Sequence, residues 1–406
     1  MIEEATARHQ PNVEARLFAC VSILFLTALL WAYWDDSDPL SLFWTNRDFA
    51  NYWVASKLAL NGQALDLFNG QDNYIAQMQK VFGDDYPWHN WSYPPHYVLL
   101  MLPLGGLPYL PSGFAFQLAT FALFLHAARV ARTQDARNYW VLLLPFIVCN
   151  VQLAQNGFLT AALMLYGLSL RLHRPLLAGI AMGFLTVKPQ LGLLLPILLV
   201  LERQWQTIAF AAATTVGLIA LSAVTFGIEA WIGYIDHNLP YQTIVMTQFG
   251  GYFLHLMPSV YGTLRSLDFE PGAAMAIHAP VACAALAIFV YGSLRLKNPK
   301  TRALNFLFAT FCFTPYSLVY DLGALCAVAA IERTRVRSSG SSAIASQFVS
   351  LALALVCLLP IVAAPMSLAG FPIGPLVLSL GWAAVLAHYW RKPHSTLPAG
   401  STLPAR

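Results

Sequence analysis

Four polar features interrupt an otherwise apolar chain: Asp48, the pair Gln155 and Asn156, the run Lys188-Pro189-Gln190, and Asp321 beside Tyr320. Asp48 stands in Asn46-Arg47-Asp48-Phe49-Ala50-Asn51-Tyr52-Trp53. A carboxylate there could take a proton from a hydroxyl as that hydroxyl attacks an activated carbon. It serves equally as the first residue of a helix, where Asp meets the positive end of the helix dipole, and spacing does not choose. Lys188 follows a short apolar run. Inside a membrane a lysine calls for an anionic partner, and a phosphate suits its compact charge, whereas snorkelling to the interface explains it just as well. Asp321 is open to two readings, a functional carboxylate or an ion pair with Lys188 or Arg47. Gln155, Asn156 and Gln190 both donate and accept, as sugar hydroxyls require, although Gln155-Asn156-Gly157 also reads as a plain turn between helices. His96, after Pro94-Pro95, and His255 could donate to phosphate oxygens, or be satisfied structural histidines. No metal is expected: the six cysteines lie in apolar runs without a paired spacing, and Asp35, Asp36 and Asp38 read as a solvated loop.

The elements that must hold these residues are membrane helices. Hydrophobic residues make up 58% of the 406-residue chain and charged ones only 10%, against about 25% charged in soluble domains. A net charge of +4 does not suit a nucleic-acid partner. The first apolar run, 16–34, matches a signal anchor of about twenty residues. A polar block follows at 35–93, with helical spacing at 50–60 and 74–82. The breaker-rich run 95–108 reads as re-entrant or interfacial, and 109–130 as a full span. Apolar runs at 138–153, 157–172, 175–187, 190–202, 206–227, 272–295, 303–315, 319–332, 345–364 and 372–390 bring the expectation to about twelve crossings, within a range of ten to thirteen. The fold class is an all-α polytopic membrane protein: one membrane domain over 1–390 and a disordered cytoplasmic tail at 391–406.

Charge places the loops. With twelve crossings, Arg129, Arg132, Arg137, Arg171, Arg174, Arg203 and the basic clusters at 295–302, 333–337 and 391–392 all fall on the side of the N-terminus, which the positive-inside rule makes cytoplasmic. Asp48, Gln155, Lys188, the loop 228–270 and Asp321 then share the opposite face. That convergence is the strongest functional signal in the sequence.

Asp48-Phe49-Ala50-Asn51-Tyr52, Asn61-Gly62, Tyr93-Pro94-Pro95, Leu107-Pro108, Gln155-Asn156-Gly157, Lys188-Pro189, Pro258-Ser259-Val260-Tyr261, Thr314-Pro315-Tyr316 and Tyr320-Asp321-Leu322 form an ordered series. It resembles the polyprenol-phosphate-mannose-dependent mannosyltransferases, glycosyltransferase family 87. The resemblance implies a GT-C fold and a lipid-linked sugar monophosphate as donor substrate in place of any cofactor. It also implies inversion at the anomeric carbon, with Asp48 as catalytic base. The better studied actinobacterial members of the family have a histidine near the position of Tyr320-Asp321, so this chain departs from them there. On this reading a hexose, mannose by resemblance, passes to a hydroxyl of a lipid or glycan acceptor on the periplasmic face of a bacterial inner membrane. Lys188, His255 and Arg47 are expected at the phosphate. Tyr52, Tyr93, His96, Gln155, Asn156, Gln190, Tyr320 and Asp321 are expected around the sugar and acceptor, with Trp91 as a further stacking ring. The competing class is a transporter or flippase of lipid-linked sugars, but no internal repeat supports it and the polar features gather at one face rather than the midplane.

Overall fold

The computed structural model describes residues 16–24, 27, 48–84, 86, 90–132, 139–338 and 344–391. The whole 35–47 segment, with Asp35, Asp36, Asp38 and Arg47, lies outside the described residues, as do Arg137, the tail beyond 391 and much of the expected first span at 16–34. Among the described residues every regular element is helical.

The first polar block folds as α1 (Asp48–Leu60), α2 (Gln71–Phe82) and, after a break, α3 (Pro95–Gly105). Pro95 opens α3 because its fixed φ suits a first helical turn and its missing N–H goes unneeded there. The helix is 11 residues, about 16 Å long, too short to cross the roughly 30 Å core of a bilayer. α1 is packed on nearly every side, with Phe49, Tyr52, Val54 and Ala55 all buried. It crosses α3 closely: a methyl on Gly105 would come within 2.8 Å of the Ser56 backbone, and Ser56 Oγ bonds the Met101 carbonyl at 2.7 Å. This fixes Asp48 rigidly at the head of α1.

The bundle continues through α4 (Tyr109–Ala131), α5 (Tyr139–Leu153), α6 (Gly157–Leu170) and α7 (Pro175–Phe184). The run expected as one helix at 190–202 is instead broken, into a single turn at Pro189–Gly192 and α8 (Leu195–Leu201). Pro196 sits in the first turn of α8 and forces the restart, since it has no N–H to continue the preceding turn. α9 (Trp205–Phe226) follows, then α10 (Ile228–Gly233), a π-turn at Tyr234–Asn238, α11 (Leu239–Gln248) and α12 (Val260–Ser266). The chain closes with α13 (Pro271–Arg295), α14 (Pro299–Phe313), α15 (Gly323–Ser338), α16 (Ile344–Leu368) and α17 (Gly374–Arg391).

Among the described residues, α4, α9, α13 and α16 are long and apolar enough to cross a membrane. α9, at 22 residues, reaches about 33 Å, and only 11% of its apolar window is buried in the protein, as suits a lipid-facing helix. At the far end of α6 from Gln155, Arg171 is not a free loop charge. It bonds Glu202 at 2.8 Å and the Pro299 carbonyl at 2.8 Å, and Arg302 reaches the same Glu202 at 2.8 Å. This buried clasp ties three chain segments at one end of the bundle.

Candidate active site

Aromatic packing sets the floor of the site. Tyr52, Tyr93, Tyr97 and Trp91 form one cluster, with Tyr52 edge-on to Tyr97 at 5.5 Å and Tyr93 4.5 Å from Tyr97. Burial pushes the phenols of Tyr52 and Tyr93 well above their usual range, so each keeps its proton to donate.

The phenols feed a directed chain of hydrogen bonds that ends on Asp48. The backbone N–H of Asn156 donates to Gln155 Oε1 at 3.1 Å, and the Tyr52 hydroxyl donates to the same oxygen at 2.7 Å. A backbone N–H can only donate, so this oxygen assignment is forced and Gln155 Nε2 must point the other way. It donates to Asp48 Oδ2. Tyr52 has spent its proton on Gln155, so the 2.8 Å contact with Tyr93 is a donation from Tyr93. Asn156 Nδ2 in turn donates to Tyr93 at 3.2 Å and Tyr97 at 3.3 Å.

The backbone turns sharply to aim Gln155. Ala154, one residue before it, has φ 49°, a left-handed conformation uncommon for a residue with a Cβ. At Gly157 a methyl group would overlap both Asn150 Oδ1 and the Tyr320 carbonyl. The turn is therefore pressed directly against the Tyr320 segment, and glycine permits the approach.

That second segment carries the charge. Lys188 Nζ donates to Asp321 Oδ1 at 2.6 Å and lies 4.5 Å from the centre of the Tyr320 ring. Asp321 Oδ2 accepts the Leu318 N–H at 3.2 Å. Lys188 has three protons and one is committed to Asp321, leaving the others able to meet an oxyanion.

A cavity of about 470 Å³ joins the two halves, within the usual range for small-molecule sites. Its wall includes Asp48, Tyr93, Gln155, Lys188, Gln190 and Tyr320. One side is apolar, with Leu239, Val245, Met246, Phe249 and Phe253. A second cavity of about 370 Å³ is lined mostly by apolar residues of α7, α8, α9 and the segment 185–193, with Pro189 common to both walls.

Six of the expected site residues thus lie on one cavity, and Asp321 sits behind Lys188. The others are elsewhere. Tyr52 and Trp91 are fully buried in the aromatic cluster, so neither ring has a face free to stack on a sugar. Asn156 is equally buried and bonds tyrosines. His96 is stacked on Trp231 and its Nε2 lies 3.2 Å from Thr186 Oγ1, away from the cavity wall. His255 Nδ1 contacts Ser367 Oγ at 2.8 Å on α16. Arg47 is outside the described residues. Asn51, Asn90, Ser92, Tyr234, Gln242 and Tyr316, none of them among the expected site residues, also lie on the cavity wall. Asn51 had a signal: three positions after Asp48, it shares a helical face with it.

A model of glycosyltransferase family 87 matches residues 91–319, more than half of the chain. The chain belongs to glycosyltransferase family 87. It is therefore an enzyme, and its apolar helices fit the membrane-bound character of family 87. The match spans Tyr93, Gln155, Lys188, Gln190 and the 228–270 segment, and begins after Asp48. No curated protein and no solved structure matches the chain.

Proposed function

We propose that this family 87 member is an inverting hexosyltransferase of GT-C type that uses a polyprenyl-phosphate sugar as donor. Asp48 takes the proton of an acceptor hydroxyl. The acceptor oxygen bonds to the anomeric carbon as the bond from that carbon to the phosphate oxygen breaks, and polyprenyl phosphate leaves with the electron pair. Gln155 holds the Asp48 carboxylate in place, and Lys188 steadies the charge gathering on the departing phosphate. The observation that carries this reading is that Asp48 and Lys188 line one cavity in a glycosyltransferase.

The apolar cavity beside Pro189 suits the first isoprene units of the donor. Pro189 lines both cavities, so a tail leaving the phosphate past Pro189 enters an apolar site. Mannose is the sugar proposed on resemblance, and the acceptor is a hydroxyl of a membrane lipid or glycan. About twelve crossings within one membrane domain over 1–390, a cytoplasmic tail at 391–406 and an active site on the periplasmic face of the inner membrane complete the proposal.

The test is product formation. Purified protein in lipid vesicles is incubated with radiolabelled polyprenyl phosphate mannose, other polyprenyl phosphate hexoses, and membrane extract as acceptor. Label should move to a new glycosylated product with release of polyprenyl phosphate. Transfer from a nucleotide sugar alone, with every polyprenyl phosphate donor inert, contradicts the reading.

A further inference from the structure

The cavity-facing stripe of α11 contains one polar exception. Leu239, Gln242, Val245 and Met246, at the three- and four-residue spacing of a single helical face, line the cavity together with Phe249, which caps the helix. Four of the five are apolar. Gln242 Nε2 is buried and has no hydrogen-bond partner, and among the described residues no other polar side chain of the cavity wall holds such an atom. Buried amide hydrogens are seldom left unpaired, and the last torsion of a glutamine is soft enough to swing this amide onto a partner held in the cavity that the residue lines.

The position of Gln242 is fixed from outside the cavity. α11 follows the π-turn Tyr234–Asn238, whose extra residue rotates the face that α11 presents. Asn238 pins this turn to the first polar block, donating to the Leu67 carbonyl at 3.1 Å and the Trp91 carbonyl at 2.6 Å. Tyr241 and Val245 are themselves buried, so the helix cannot roll to release the amide.

We infer that Gln242 is a specificity-determining residue, an amide on the 228–270 segment that reads a hydroxyl of the sugar held in the cavity; this rests on the reading of the cavity as the transfer site. A sugar hydroxyl fits better than a phosphate, because the surrounding stripe offers no positive charge while an amide can both donate to and accept from a hydroxyl.

The experiment compares wild type with Gln242→Leu, which keeps the volume and removes the amide. Two readouts are taken on the full-length protein in detergent. In transfer from polyprenyl phosphate mannose, the variant should lose roughly five- to fifty-fold in kcat/KM, the scale of one hydrogen bond to substrate. Among monodeoxy donors, the one lacking the hydroxyl read by Gln242 should be handled equally by both proteins. An unchanged ratio across the donor set with a raised acceptor KM puts that hydroxyl on the acceptor sugar. Ligand-observed NMR with methyl hexosides needs no turnover, and Gln242→Leu should weaken their binding even if the transfer chemistry were wrong. Hexoside binding equal in the two proteins overturns the inference, as does a loss of activity in step with a lowered melting temperature and the same for every deoxy donor.

Discussion

Lys188 Nζ lies 2.6 Å from Asp321 Oδ1, and both side chains are almost fully buried. A buried pair of this kind resists the loss of one member far more than the loss of both, because one loss leaves a charge without compensation. Lys188→Ala or Asp321→Ala should each destabilise the protein by about 3–5 kcal/mol. The double variant Lys188→Met/Asp321→Leu should regain most of the melting temperature in detergent and still transfer no sugar. Full activity in the double variant would show the pair to be structural only.

Gln155 is the hinge of the chain of hydrogen bonds on Asp48. Gln155→Leu removes the donor to Asp48 and leaves the Tyr52 hydroxyl without its acceptor, so turnover should fall by about ten- to a hundred-fold, one to two factors of 1.4 kcal/mol. Tyr52→Phe leaves the donation to Asp48 in place and should lower the rate only several-fold. Steady-state kinetics on the two variants checks the order, and equal losses contradict it.

The cavity needs the first polar block and the 228–256 segment in register. A methyl on Gly233 would meet the Phe68 carbonyl at 2.5 Å, so Gly233→Ala should push α10 and the π-turn off the first block. Faster limited proteolysis of the 228–256 segment and a several-fold loss of turnover are expected, with the melting of the remaining bundle little changed.

The tail path can be closed without touching the polar cavity. Ala212 lines the apolar cavity, and Ala212→Trp should keep about two methylenes of the donor from burial, about 0.8 kcal/mol each. KM for a long-chain donor should rise about tenfold, while a short-chain prenyl phosphate sugar is used as well as by wild type. A rise shared by both donors rules out this path.

Much of this site was legible in the sequence because a membrane protein supplies contrast. Asp48, Gln155, Lys188 and Asp321 are conspicuous against apolar neighbours, and the charge pattern put them on one face. Span ends were legible for the same reason: α9 runs Trp205–Phe226 where 206–227 was expected. Asn90 and Ser92 sit in a segment already polar, and Gln242 on a helix that also carries Thr243, Thr247 and Gln248, where one more amide or hydroxyl has no contrast. The break between Gly192 and Leu195 lies inside an unbroken apolar run, and only the placement of Pro196 at a new helix start reveals it. His255 and Tyr52 looked available for substrate but are claimed by tertiary partners, Ser367 on α16 and Gln155. Contacts across a hundred residues leave no local trace in a sequence.

Asp48 is the proposed base that activates the acceptor. The direct measurement is the rate of sugar transfer by Asp48→Asn, alongside its melting temperature and its binding of polyprenyl phosphate sugar. Transfer should fall by at least about a hundred-fold, the scale of a lost general base, with melting temperature and donor binding unchanged. An Asp48→Asn protein that transfers sugar at the wild-type rate would contradict it.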